Sequence, residues 1–310
     1  MVRVLRVGLQ FAVAIGLLVL LWRVADGQSA VDHLVTAELA WLLAALVALT
    51  GQLVLSALRW QLTAAQLGLV LTRQQAVREY YLSQVVNQLL PGGVLGDVGR
   101  AVRARAQAGL VISGQAVLFE RLVGQVALVL LFGAAVLGTW AVPGGFDLPA
   151  SIQFPVFVTL AAAILTGIGA ATASPSLPTK TSTALAAFMA NFRRAVWARE
   201  VRHRQVLLSI GTVVLNIAAF ACCAAAVGVM LAPATAMVLV PLILFTMLIP
   251  ITVSGWGLRE GATAVLLPLA GATAAEGFAA SVAFGLVVLL SALPGVVVAG
   301  LATVAKPVSP

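Results

Sequence analysis

The sequence predicts an all-α polytopic membrane protein, and three observations carry that prediction. The chain of 310 residues is 62% hydrophobic and only 9% charged, where an ordinary globular domain is roughly a quarter charged. Its mean hydropathy is +1.09. The 54 residues from Gln205 to Leu258 contain no Asp, Glu, Lys or Arg, a run that fits membrane spans and not a soluble core.

Taken in order, Arg6 and Arg23 bracket 16 uncharged residues, about 25 Å of helix at roughly 1.5 Å per residue and so a short first span. This segment has the outline of a signal peptide. It lacks a small-x-small cleavage site before Arg23, and further spans follow, so it reads as a retained helix. Asp26, Asp32, His33 and Glu38 then form an acidic loop. Leu39 to Leu58 is the second span, and the arginines after it (Arg59, Arg73, Arg78) place that end, and the N-terminus, in the cytoplasm by the positive-inside rule.

Tyr80 to Gly96 is uncharged but broken at Pro91. The piece before the break is too short to cross ~30 Å of hydrocarbon. Arginines flank the segment on both sides, which predicts a re-entrant hairpin. Ser113 to Trp140 follows as a long helix, with Glu120 and Arg121 about two turns in. An outer turn at Pro143 to Pro149 leads to a returning span over Ile152 to Thr172. Ala173 to Gln205 is the polar section, with Lys180, Arg193, Arg194, Arg199, Arg202 and Arg204 against the single acid Glu200. It reads as a topogenic basic loop, or as an amphipathic helix over Thr183 to Arg204 with Phe188, Phe192 and Trp197 inserted in the inner leaflet. Val206 to Leu231 and Met237 to Ile249 are spans, Gly261 to Leu269 is a half-helix interrupted by Pro268, and Phe278 to Val304 is the last span, kinked at Pro294-Gly295. The expected total is about seven transmembrane helices and two re-entrant segments in one domain, residues 1–310.

Two stretches stand out. Asn87 to Arg100 breaks at Pro91-Gly92-Gly93 and restarts with Gly96, Asp97 and Arg100. Leu248 to Glu260 has the same layout. Both carry Pro-x4-Gly-x3-Arg, as Pro91/Gly96/Arg100 and Pro250/Gly255/Arg259, the second with Gly257 as well. Irregular backbone at membrane depth is tolerated only inside protein or against a water-filled cavity, and a matched pair of interrupted segments points to a transport site and an internal repeat. Gly92/Gly96 and Gly257/Gly261 also have the spacing of close helix packing.

Ionisable groups in membrane segments are costly and pair with one another. The candidates are Arg59, Asp97, Arg100, Glu120, Arg121, Arg259 and Glu260. Asp97 and Arg100 share one face of a first helical turn, behind a Gly-rich turn whose N–H groups would cradle a phosphate, with Arg100 as clamp. The plain alternative is that Asp97 caps the helix and Arg100 snorkels to the interface. Arg259 and Glu260 are neighbours and point to different faces, so each is expected to find a partner elsewhere, Glu260 with Arg100 or Arg121. Asn87 is expected to hydrogen-bond the broken backbone or the ligand. Tyr80 and Tyr81 read as interfacial anchors.

The net charge of +8 and pI of about 11.0 sit in short loops, where Lys and Arg set topology and meet anionic headgroups, so no nucleic-acid partner is expected. Adjacent Cys222 and Cys223 in an apolar run are small buried side chains. No Walker A, His/Cys cluster or Gly-x-Ser-x-Gly occurs, so neither an enzyme nor a cofactor or metal is expected.

The ordered set Arg59-Trp60, Asn87, Leu90-Pro91-Gly92-Gly93, Gly96-Asp97, Arg100, Glu120-Arg121 and Pro250 through Gly255-Trp256-Gly257-Leu258-Arg259-Glu260-Gly261 resembles the lysylphosphatidylglycerol synthase transmembrane, flippase-like family over about residues 39–304. In that family the membrane half moves an aminoacylated phospholipid between leaflets, and a separate soluble half makes it. The resemblance implies an inner-membrane flippase for an anionic phospholipid or lipid-linked headgroup, without the synthase half, since the chain ends at Pro310. It departs from the usual two glycines before the aspartate, having Leu95-Gly96-Asp97. The alternative is a non-transporting scaffold that presents lipid to a separate synthase or glycosyltransferase, docking through the Lys180 to Arg204 section.

Overall fold

A computed structural model describes residues 2–90, 93–141, 179–249 and 251–297, with isolated positions at 153, 154, 158 and 161. Every described element is helical: α1 Val2–Val24, α2 Gly27–Val35, α3 Leu39–Gln66, α4 Arg73–Leu89 and α5 Leu95–Ala141. Next come α6 Thr179–Phe192 with a π-helical turn at Arg193–Trp197, α7 Arg202–Ala226, α8 Pro233–Thr246, α9 Leu258–Leu266 with a 3-10 turn at Leu267–Ala270, and α10 Ala274–Ala292.

Among the described residues, four helices are long and apolar enough to cross a membrane: α3, α5, α7, and α10 continued to Val297. Gly8–Val24 and Gly27–Val35, bent by 92°, make a fifth if taken as one broken span. The chain is therefore an all-helical, multi-pass membrane protein. The expected span at 152–172, the turn at 143–149 and the tail of the last span lie outside the described residues, as do Pro91, Gly92 and Pro250 at the breaks.

Three elements differ from expectation. The acidic loop is largely the short helix α2, whose first turn is closed by Asp26 accepting from the Ser29 amide. α5 runs on without a gap from the helix restart at Leu95 into the long helix expected from Ser113, the two meeting at a kink whose one non-helical residue is Gly109 (φ 79, ψ 164). The basic section is helical over its described part, and Phe188 and Phe192 are half-buried against the protein. Both pack edge-to-face on fully buried Phe119 of α5, with ring centroids 4.9 and 5.2 Å away. Trp197 alone stays outside, 67% exposed.

The centre of the molecule is the α3–α7 pair. Small residues let the two helices approach, Gly51 facing Leu215 and Gly211 facing Leu55, as expected where lipid removes the hydrophobic drive for helix association. Each helix turns a polar stripe to the other. Ser56, Arg59 and Thr63 of α3 and Gln205, Ser209 and Thr212 of α7 are all buried. Gln205 Nε2 donates to Thr63 Oγ1 at 2.9 Å, and Arg59 Nη1 to Ser209 Oγ at 3.5 Å. Around the other end of this pair, α8 is apolar on every side and buried from Val238 to Leu244, as an internal helix should be. It shares one core with α10 (Phe278, Phe284, Val287) and α7 (Phe220, Ala224).

Candidate functional site

The first break is held together by side chains from α4. Ser83 and Asn87, with Tyr80, stand at i, i+3 and i+7 on one face of that helix. Asn87 Oδ1 accepts the Gly96 amide (2.8 Å) and its Nδ2 donates to Asp97 (3.2 Å), while Ser83 Oγ donates to Asp97 at 3.0 Å. Asn87 thus bonds the interrupted backbone, the first of its two expected roles. Gly96 is required by contact: a Cβ there would fall on the Ser83 carbonyl.

Behind this hinge lies a buried ionic network. Arg59 Nη2 and Arg100 Nη2 take one oxygen each of the Glu120 carboxylate, at 2.6 and 2.9 Å. Arg100 also pairs with Asp97 at 2.9 Å, the expected i, i+3 contact, and Arg121 pairs with the other Asp97 oxygen. Arg121 further donates to the Gly93 carbonyl at 3.2 Å. The Arg100 guanidinium is sandwiched between Trp60 (4.8 Å) and Tyr80 (4.6 Å), a contact that strengthens when desolvated. Room for Arg59 comes from Gly124, where a Cβ would sit 2.8 Å from its Nη2.

The expected residues Arg59, Asn87, Asp97, Arg100, Glu120 and Arg121 therefore meet in one place. Three guanidiniums face two carboxylates, and the excess charge sits at the rim, because Arg121 is 40% exposed while Arg59, Arg100 and Glu120 are at most 4% exposed. Inside, four donor nitrogens have no acceptor among the described residues: Arg59 Nε, Trp60 Nε1, and Arg100 Nε and Nη1. Such orphans each cost about 1–3 kcal/mol, so a cluster of four around one network is an arrangement that an anion would relieve.

The second break makes a separate cluster. Glu260 reaches back to accept the Gly257 amide (2.6 Å), which closes the start of α9. Its other oxygen takes Arg259 Nη2 (2.5 Å) and the Ser281 hydroxyl of α10 (3.0 Å), and Arg259 Nε donates to Ser281 at 2.9 Å. This corrects the expectation that these neighbours pair elsewhere, Glu260 with Arg100 or Arg121. The left-handed backbone at Gly255 (φ 82) and Gly257 (φ 89), open to glycine at no steric cost, turns the chain so that residues 259 and 260 converge. Arg259 lies 5.0 and 5.4 Å from the Trp256 and Phe284 ring centres. Arg259, Glu260 and Ser281 leave no buried polar atom unsatisfied among the described residues. The two breaks touch through Ser254 Oγ, which donates to Gln88 Oε1 at 2.5 Å.

Sequence reasoning missed Trp60, Tyr80, Ser83 and Ser281. Tyr80 is no mere interfacial anchor, since it stacks on Arg100 and donates to Glu120 (3.4 Å). Tyr81 is buried too, at 8% exposure. The signal for Tyr80 and Ser83 was their helical register with Asn87. Ser281 had no such signal.

Among the described residues no group of His, Cys, Asp and Glu has the arrangement of a metal site, and Cys222 and Cys223 are free thiols. A family profile described as lysylphosphatidylglycerol synthase TM region matches residues 7–295 of this chain. No curated protein and no solved structure matches it.

Proposed function

The chain belongs to the lysylphosphatidylglycerol synthase transmembrane-region family, and from that premise we propose that it translocates an anionic phospholipid or lipid-linked headgroup between leaflets of the inner membrane, with its N-terminus cytoplasmic. The observation that carries this reading is the set of four unpartnered N–H donors around Arg59, Trp60 and Arg100. A phosphate would meet the half-exposed Arg121 first and pass to Arg100, exchanging the Arg121–Asp97 and Arg100–Asp97 pairs for its own charge-assisted bonds. Asp97 and Glu120 orient the arginines between passages. Arg259 and Glu260 then serve the second break as its structural latch. The reading involves no catalytic step and no cofactor, so the drive is the membrane potential, a coupled gradient or downhill lipid flow.

The test is flipping of a fluorescent anionic phospholipid in proteoliposomes, comparing the wild type with Arg100→Ala at equal incorporation. A lost charge-assisted contact of about 1.5–3 kcal/mol predicts a fall of about ten- to a hundredfold. No flipping by the wild type above protein-free vesicles, across anionic, zwitterionic and isoprenoid-linked lipids, would turn the reading to a lipid-presenting scaffold. One observation favours that second reading: Arg193, Arg194, Arg199 and Arg202 are exposed beside the exposed Trp197. It predicts loss of function from neutralising these four while Arg100→Ala is tolerated.

A further inference from the structure

A groove of about 550 Å³ lies away from both breaks, where the α3–α7 pair meets the start of α4. Leu58, Gln61, Leu62 and Ala65 of α3, at i, i+3, i+4 and i+7, form one wall, and Leu207 and Leu208 of α7 the other. Two arginines line it as well, Arg73 as the first residue of α4 and Arg204 in the first turn of α7. Both are exposed, and neither has a carboxylate within ion-pair distance among the described residues.

The placement of these cations is the telling feature. A basic residue in the first turn of a helix faces the positive end of the dipole and is unfavourable unless an anion sits there. Here two helix starts bring such residues to one groove. The leucines lie on two of the helices long and apolar enough to cross a membrane, and an acyl chain is the filling that suits such a lining in a bilayer. The guanidiniums lie at the helix ends, and Arg204 closes the basic section that begins at Arg193.

We propose that this groove retains one anionic phospholipid, an acyl chain along Leu58, Leu62, Leu207 and Leu208 and the phosphate between Arg73 and Arg204. The bound lipid fastens the start of α4, which carries Tyr80, Ser83 and Asn87, to the start of α7, and so ties the inner leaflet's composition to the hinge of the buried network. The proposal needs only the membrane embedding of the chain and stands whether or not the protein moves lipid.

The experiment is native mass spectrometry of the full chain released from nanodiscs of equal phosphatidylglycerol and phosphatidylcholine. The wild type is expected to keep one phosphatidylglycerol in preference to phosphatidylcholine, and Arg73→Gln/Arg204→Gln to lower that preference by about tenfold or more, each arginine contributing about fivefold. Ala65→Phe, which fills the groove without changing charge, is expected to lose the adduct with either lipid. Arg193→Gln/Arg194→Gln is expected to keep it. Equal retention of the two lipids by the wild type would overturn the proposal. So would a preference that survives Arg73→Gln/Arg204→Gln, or one that falls as far with Arg193→Gln/Arg194→Gln, the mark of general surface charge. Loss with Arg100→Gln alone would move the bound lipid to the buried network, which defeats the groove and leaves the translocation reading standing.

Discussion

The two breaks carry the same Pro-x4-Gly-x3-Arg pattern and end in different chemistry. In both, the arginine is buried against aromatic rings, Arg100 between Trp60 and Tyr80 and Arg259 beside Trp256 and Phe284. Arg100 takes both its carboxylates from α5, shares Glu120 with Arg59 of α3, and among the described residues keeps two side-chain nitrogens unused. Arg259 closes on the next residue and on Ser281, and its cluster is electrically neutral. The pattern sets where a guanidinium sits. The partner set decides whether it has capacity left for a ligand. Among the described residues, the first break keeps unused donors and the second leaves none.

The sharpest way to break this comparison is to remove its two carboxylates. Glu120→Ala strands Arg59 in a buried site, leaves Arg100 with Asp97 alone, and is expected to cost about 3–5 kcal/mol. Glu260→Ala strands one cation and unlatches α9, and is expected to cost less. Unfolding in a single detergent measures both, and equal losses would mean that the first network holds no more uncompensated charge than the second.

The next largest effect separates holding from binding. Arg259→Gln/Glu260→Gln replaces the pair by a neutral hydrogen-bonding one, isosteric at 260 and shorter at 259, and is expected to keep flipping within about threefold, the response of a site whose buried pair is not a net source of stability or binding. Abolished flipping in a well-folded double variant would place the second break in the substrate path.

Glycine substitutions come third. Gly96→Ala drives a Cβ into the Ser83 carbonyl of another helix, a collision only backbone movement relieves, at about 1–3 kcal/mol. Gly257→Ala meets the Leu17 side chain and a left-handed φ of 89, at about 1–2 kcal/mol. The first is expected to alter flipping as well as the melting temperature, because it parts Asn87 and Ser83 from Asp97. The second is expected to alter the melting temperature only.

The smallest effects belong to the hydroxyls. Ser281→Ala removes a group that both donates to Glu260 and accepts from Arg259, at about 1 kcal/mol. Ser83→Ala is expected to be milder, since Asp97 keeps Asn87, Arg100 and Arg121. A larger loss at Ser83 would show that the α4–α5 hinge depends on that one bond.

Composition and the charge-free run determined the membrane class, and the arginine and proline positions marked both breaks and the six polar residues that meet at the first. These are local properties: hydropathy over a span, a missing amide at proline, a charge too costly to leave in hydrocarbon. What tertiary structure alone decided is who faces whom. Glu120 is shared by Arg59 and Arg100 because α3 and α5 cross there, and Glu260 closes on Arg259 because two left-handed glycines precede it. Ser281 joins because α10 packs on α9. Such pairings depend on helix crossings and backbone turns many residues apart, and no periodicity along the chain encodes them.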